Sequence, residues 1–103
     1  PEQMAEALTE LGLLRADQGR PEEAAAHVRE ALTLATEVGT RREEVRARNA
    51  LGALLAAAGE IGAARREFTA ALELATATES PYARSVAEAG LARLDGSARD
   101  GVA

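Results

Sequence analysis

The chain has 103 residues, a net charge of −5, one His and no Cys, and about a quarter of it is Ala. This length allows one small domain and excludes a multidomain enzyme, while the absence of Cys excludes a disulfide scaffold and a thiolate metal site. The acidic charge argues against direct binding to nucleic acid, which needs clustered Lys or Arg, and no apolar run is long enough to cross a membrane, so we expect a cytoplasmic protein.

The first forty residues predict a pair of helices. Helix 1 is expected over about residues 2–18, where apolar residues recur at spacings of three and four and so share one face. Gly19 is expected to end this helix, and Pro21 suits the first turn of a second helix because that position needs no N–H donor. Gly39 is a natural C-terminal stop for helix 2.

The following residues predict three more helices. Thr40 and Glu43 form a Thr-x-x-Glu capping box that predicts the start of helix 3, and Gly59 is expected to end that helix before helix 4 begins. Pro81, preceded by a Ser that suits a cap, predicts the start of helix 5. We expect Gly96 to end this last helix.

A 40-residue repeat relates the two halves of the chain. Residues 5–40 aligned with residues 45–80 give twelve identical pairs out of 36, mostly Gly, Leu and Ala at helical spacing. Short loops favour antiparallel packing of consecutive helices, and a lone helical hairpin needs a neighbour to bury its apolar face. The sequence therefore predicts an all-α solenoid of αα-hairpins over residues 1–96. It has two full repeats, a terminal helix at 81–95 and a flexible tail at 97–103.

The repeated residues resemble the signature of the tetratricopeptide repeat, which combines Leu-Gly and a later Gly with Ala, a large residue and Ala in the second helix. The matching residues are Leu11, Gly12, Gly19, Ala24, Val28 and Ala31, then Leu51, Gly52, Gly59, Ala64, Phe68 and Ala71. The resemblance implies a right-handed superhelix of helix pairs, and we expect Phe68 to fill the seam of its core. It also implies a non-catalytic protein that binds other proteins.

The period of 40 is longer than the standard tetratricopeptide period of 34 residues. This long variant is similar to the repeats of kinesin light chains and of actinobacterial transcriptional regulators. All twelve basic residues are Arg, a composition that suits a bacterial regulatory protein. Because the chain begins with Pro1 and its single Met is Met4, we expect it to be a piece of a longer protein.

The sequence offers little for catalysis. His27 is the single His, and although Glu23 and Glu30 lie within one helical turn of it, we expect a solvated or packing His rather than a base or metal ligand. Residues 59–62 lack the Gly-Lys-Ser/Thr ending of a phosphate-binding loop. We therefore expect neither an enzyme nor a bound cofactor or metal, and a ligand sensor with a pocket between helices is the least favoured hypothesis.

In a tetratricopeptide stack the first helix of each pair lines a concave surface, so the resemblance implies a binding groove. Its candidate residues are Glu6, Thr9, Glu10, Leu13, Asp17, Arg46, Asn49, Ala53 and Arg93. Residues 1–40 carry eight acidic residues and three Arg, whereas the remaining residues carry nine of each. This acidic excess predicts a protein or peptide partner with a basic segment, or it serves only to keep the first hairpin soluble.

Self-association is the alternative function. Two and a half repeats are near the lower limit for a stable stack, and the ends of a stack need polar caps. Helix 5 has no following helix, and Val86, Leu91 and Leu94 could form an edge that a homodimer buries.

Overall fold

The computed structural model describes the backbone of residues 2–102 and the side chains of residues 3–96. In this part of the chain, five α-helices follow one another through short turns. Their bounds are α1 Glu2–Asp17, α2 Pro21–Val38, α3 Arg41–Ala57, α4 Ile61–Ala77 and α5 Pro81–Val102. The predicted all-α class with five helices is therefore confirmed.

The helix boundaries repeat every 40 residues. The starts of α2 and α4 are 40 residues apart, and so are the starts of α3 and α5. Gly19, Gly39 and Gly59 follow α1, α2 and α3 with φ angles of +73°, +71° and +82°. Such left-handed φ angles end a helix and favour Gly, which has no Cβ to clash with the backbone. The predicted glycine stops are confirmed at these three positions.

The helices are arranged as a solenoid with two layers. α1 packs against α2 and α3 packs against α4, while α2 and α4 also contact the helices that follow them, α3 and α5. In addition α3 contacts both α1 and α5, whereas α2 and α4 have no close backbone contact among the described residues. Because the inner side of a curved stack has the shorter spacing, α1, α3 and α5 form the inner layer and α2 and α4 the outer layer.

Phe68 of α4 is the largest side chain of the core and is 2% exposed. Its ring lies between two glycines, because a Cβ built on Gly52 of α3 would lie 2.9 Å from the ring and one on Gly90 of α5 only 2.5 Å from it. Val28 is the equivalent residue of the first repeat, and it lies against Gly12 in the same way. The predicted place of Phe68 in the core seam is confirmed.

The start of α3 differs from the prediction in one respect. Thr40 is the N-cap residue of α3, as expected, but its side chain makes no capping hydrogen bond. Glu43 is buried. The predicted N-cap position is therefore confirmed, whereas the hydrogen bond that the capping box predicts for the Thr40 side chain is absent.

The end of α5 also differs from the prediction. Gly96 was expected to stop the helix, but α5 continues to Val102, and Gly96 is not among the glycines with positive φ. A Gly inside a helix costs only about 1 kcal/mol and does not by itself force a stop. The predicted flexible tail at 97–103 lies outside the residues whose side chains are described and stays a prediction.

Glu79 occupies the position that is equivalent to Gly39 in the first repeat. Its φ is +53°, in the left-handed region that favours Gly. A side chain in this left-handed region costs about 1–2 kcal/mol. We therefore expect Glu79→Gly to raise the free energy of unfolding by about 1 kcal/mol, measured by urea denaturation. Gly39→Ala, the reverse change at the equivalent turn, should lower it by a similar amount. A Glu79→Gly variant less stable than the native chain would contradict this account.

Candidate functional site

The inner layer brings most of the predicted groove residues to one exposed surface. On α1 the exposed residues are Glu6, Glu10, Leu13 and Asp17, and on α3 and α5 they are Ala53 and Arg93. Arg46 of α3 is half-buried. Since α3 contacts both α1 and α5, these side chains border one continuous surface across three helices. We call this surface the inner groove.

Two predicted groove residues are buried instead. Thr9 is 1% exposed, and its hydroxyl donates a hydrogen bond to the carbonyl oxygen of Ala5 at 3.1 Å. Asn49 is 8% exposed, and its amide Nδ2 donates to the carbonyl oxygen of Ala83 at 3.3 Å, which ties α3 to α5. Neither side chain is available to a partner, because the contact between neighbouring inner helices covers this side of each helix.

The acidic and basic residues of the inner groove pair with each other. The Arg46 guanidinium donates a hydrogen bond to the carboxylate of Glu10 and lies 3.8 Å from the carboxylate of Glu6. The hydrogen bond to Glu10 raises the pKa of Arg46 above its ordinary value, and the negative charges of Glu10, Glu43 and Glu6 add to this effect against a smaller opposing contribution from burial. Arg46 therefore cancels part of the acidic charge that α1 brings to the groove.

A signal for this pairing was present in the sequence. Glu6 and Arg46 are equivalent residues of the two repeats, 40 positions apart. Equivalent residues of successive inner helices lie side by side at the same level of the stack, so opposite charges in that register attract each other. This rule predicts the contact of Arg46 with Glu6 but not its hydrogen bond to Glu10, which is 36 positions away.

An apolar pocket opens between α3 and α5. It has a volume of about 300 Å³ and is lined by Ala53, Ala56, Ala57, Ile61, Phe68, Gly90, Arg93 and Leu94. Two of these residues, Ala53 and Arg93, belong to the inner groove, so the pocket is part of it. Among the described residues Arg93 has no ion-pair partner within reach. The pocket was missed in the sequence because its walls come from three helices.

The predicted dimer edge of α5 is largely covered. Leu94 is 2% exposed and belongs to the core, where it is one of the buried residues around Phe68. Leu91 is half-buried and packs against that same core, and Val86 is half-buried as well. Leu94 therefore contributes nothing to an exposed edge, because α5 turns it towards α3 and α4.

Metal binding finds no support among the described side chains. No group of three or more His, Cys, Asp or Glu residues within 3–96 could hold a metal ion. His27 is half-buried on α2. None of the five helices, over the residues described, is apolar and long enough to span a membrane.

The fold and the inner groove define a helical-repeat protein. The model of the tetratricopeptide repeat matches residues 3–77, which is more than half of the chain. The chain therefore belongs to the tetratricopeptide repeat family, whose members generally mediate protein–protein interaction as non-catalytic repeat modules. No curated protein and no solved structure shows significant similarity to it.

Proposed function

We propose that this chain binds a segment of a partner protein in its inner groove and has no catalytic activity of its own. The observation that carries the proposal is the contact of α3 with both α1 and α5, which makes one accessible surface from three helices. The apolar pocket between α3 and α5 gives this surface a recess of about 300 Å³. Such a recess can hold an apolar side chain, and exposed charged residues around it can select its neighbours.

The charge of the inner groove favours a partner whose basic segment lies against α1. Two carboxylates, Glu6 and Glu10, share a single Arg46, so the cluster keeps a net negative charge. Asp17 is exposed on the same helix and adds a further negative charge. A Lys or Arg of the partner would therefore be attracted to α1, although less strongly than the acidic residues alone suggest.

A calorimetric titration with an Arg-rich peptide tests this proposal. Arg46→Gln removes the competing internal cation, so we expect it to tighten binding by about two- to fivefold. Changing both Glu6 and Glu10 to Gln should weaken binding by at least as much. Glu30→Gln on α2 is the matched control, because it removes an exposed carboxylate outside the groove. If the native chain and the three variants bound the peptide with equal affinity, Glu6, Glu10 and Arg46 would not be part of the binding site.

We also propose that the chain is part of a larger bacterial regulatory protein in the cytoplasm. The 40-residue spacing of the helix starts supports kinship with the long repeats of kinesin light chains and actinobacterial regulators. In such regulators similar repeats accompany a DNA-binding or nucleotide-binding domain. The open reading frame that encodes this chain tests the proposal, and a frame without any such domain would contradict it.

Self-association through α5 is the alternative. Val86 and Leu91 are the half-buried residues left for it, since Leu94 is in the core. Sedimentation equilibrium tests it directly. A monomer at high micromolar concentration would exclude the alternative, whereas a dimer that Leu91→Lys dissociates would support it.

A further inference from the structure

The apolar pocket of the inner groove lies where the second repeat has small side chains. Ala53 and Ala57 of α3 form part of its wall, and Gly90 adds no side chain on the α5 side. The residues of α1 equivalent to the two alanines, 40 positions earlier, are the larger Leu13 and Asp17. The second repeat therefore has a recess at a level of the stack where the first repeat carries larger side chains.

The position of Arg93 is an open one in every inner helix. Leu13, Ala53 and Arg93 are equivalent residues of α1, α3 and α5, and all three are exposed. Ala53 is exposed although α3 contacts an inner helix on each side, α1 and α5. The exposure of Arg93 therefore follows from its place on the inner layer of the stack.

Arg93 brings a positive charge to this pocket. It lines the pocket and is exposed. The acidic residues of α5 in the described part of the chain, Glu88 and Asp95, pair with Arg84 and Arg65 instead. The Arg93 guanidinium is therefore accessible to a carboxylate of a partner, which such a planar group can bind through two parallel hydrogen bonds.

The size and the walls of the pocket indicate one aliphatic side chain as its occupant. Its volume of about 300 Å³ is at the lower end of the range for small-molecule sites, roughly 300–1,000 Å³. Apart from Arg93, its walls consist of Ala, Gly, Ile, Leu and Phe. A side chain such as Leu matches these walls, and a carboxylate beside it would meet the charge of Arg93.

We infer that the pocket takes an aliphatic side chain of the partner segment and that Arg93 pairs with a carboxylate next to it. The inference rests on the function proposed for the inner groove and adds the character of the segment at α5. Glu6 and Glu10 favour a basic group at α1. The segment therefore carries basic residues on one side of its aliphatic side chain and an acidic group on the other.

Fluorescence anisotropy with three labelled peptides tests this inference. Each peptide has several Arg residues, a flexible Gly-Ser spacer and then a Leu. An amidated Glu follows the Leu in the Glu peptide and an amidated Lys in the Lys peptide, while the third peptide ends at the Leu with a free carboxylate. We expect the full chain to bind the Glu peptide about three- to tenfold more tightly than the Lys peptide, because Arg93 attracts Glu and repels Lys.

Charge reversal assigns this preference to Arg93. Arg93→Glu should reverse it, so that the Lys peptide binds more tightly than the Glu peptide. Arg66→Glu makes the same change at an exposed Arg of the outer helix α4, and this matched control should leave the Glu peptide the tighter of the two. The net charge of −5 favours the Lys peptide, so nonspecific attraction would give the opposite order.

Filling the pocket tests the aliphatic contact. Ala53→Leu gives α3 the side chain that α1 has at Leu13, and it should weaken binding of the Glu peptide about fivefold or more, because the peptide's Leu loses its buried place. Ala26→Leu, at an exposed Ala of α2, is the control and should leave the affinity within about twofold of the native value.

The third peptide distinguishes two sources of the carboxylate. Tighter binding of this peptide than of the Glu peptide would indicate the end of a partner chain, and the reverse order would indicate an acidic side chain. Either order supports the inference when both peptides bind more tightly than the Lys peptide.

The results that contradict this inference differ from those that contradict the proposed function. If Ala53→Leu weakens binding but the Lys peptide binds as tightly as the carboxylate peptides, the role of Arg93 is wrong and the groove remains the binding site. The same holds if Arg66→Glu changes the preference as much as Arg93→Glu. If no peptide binds, or if neither Ala53→Leu nor the change of Glu6 and Glu10 to Gln weakens binding, the proposed function is wrong as well.

Discussion

Phe68→Ala should lower the free energy of unfolding by about 3–5 kcal/mol, the range measured when a large buried aromatic side chain is removed from a core. Phe68 is 2% exposed. Its ring packs α4 against Gly52 of α3 and Gly90 of α5. Without the ring a cavity would remain among α3, α4 and α5, so the variant would lose the packing of all three helices at this point. Since a domain of this size has a total stability of about 5–15 kcal/mol, the variant should lose a large part of it.

Urea denaturation followed by circular dichroism measures this loss. Tyr82→Ala is the matched control, because it removes an aromatic side chain of similar size that is 82% exposed. Its effect should stay within about 0.5 kcal/mol. If both variants unfolded at the same urea concentration, Phe68 would not be the residue that holds the inner and outer layers together.

Gly90→Ala is the second variant for which we expect a large effect, a loss of about 1–3 kcal/mol in the free energy of unfolding. A Cβ on Gly90 would lie 2.5 Å from carbon atoms of the Phe68 ring, far closer than two carbons can approach. The ring has little room to move away, because the backbone of Gly52 lies on its α3 side, where an added Cβ would be only 2.9 Å from the ring. The helix α5 would have to shift away from α4.

The first repeat suggests how this loss can be recovered. There the smaller Val28 occupies the position of Phe68, and Ala50 occupies the position of Gly90. Adding Phe68→Val to Gly90→Ala should therefore give a double variant that is more stable than the sum of the two single losses predicts. Strict additivity in this double-mutant cycle would show that the two positions do not compete for the same space.

Gly96→Ala is the control for the helical cost of glycine. Gly96 lies inside α5, and a Cβ there would meet nothing within 4 Å. We expect this change to raise the free energy of unfolding by about 0.5–1 kcal/mol, because Ala favours the helix over Gly. Within α5, Gly→Ala should thus lower the free energy of unfolding at position 90 and raise it at position 96. A loss at both sites would contradict the assignment of the clash to Phe68.

The helices could be predicted because their signals are local. Pro21 and Pro81 are the first residues of α2 and α5, and a Gly with positive φ follows each of α1, α2 and α3. The fixed φ of Pro and the missing Cβ of Gly act on the local backbone whatever surrounds it. Glu43 shows the limit of such signals. Its spacing from Thr40 fits a capping box, but this spacing does not predict that Glu43 is buried, because burial depends on the neighbouring helices.

The candidate groove could be predicted only in part. The residues of α1 that were placed in it, such as Glu6 and Leu13, are exposed as expected. Thr9 and Asn49 are covered, because the inner helices approach each other closely on the side where these residues lie. The pairing of Arg46 with Glu10 joins residues 36 positions apart, and its strength depends on a distance that no local pattern contains.

The sequence by itself determined the number of helices, most of their boundaries, the 40-residue repeat and the aromatic residue at the centre of the core. These features follow from backbone geometry and from the periodicity of apolar residues along one chain segment. Only the tertiary structure decided which faces of equivalent helices are covered, because coverage depends on the neighbours that each helix has in the stack. Equivalent residues of α1 and α3, such as Ala7 and Ala47, differ in burial for this reason.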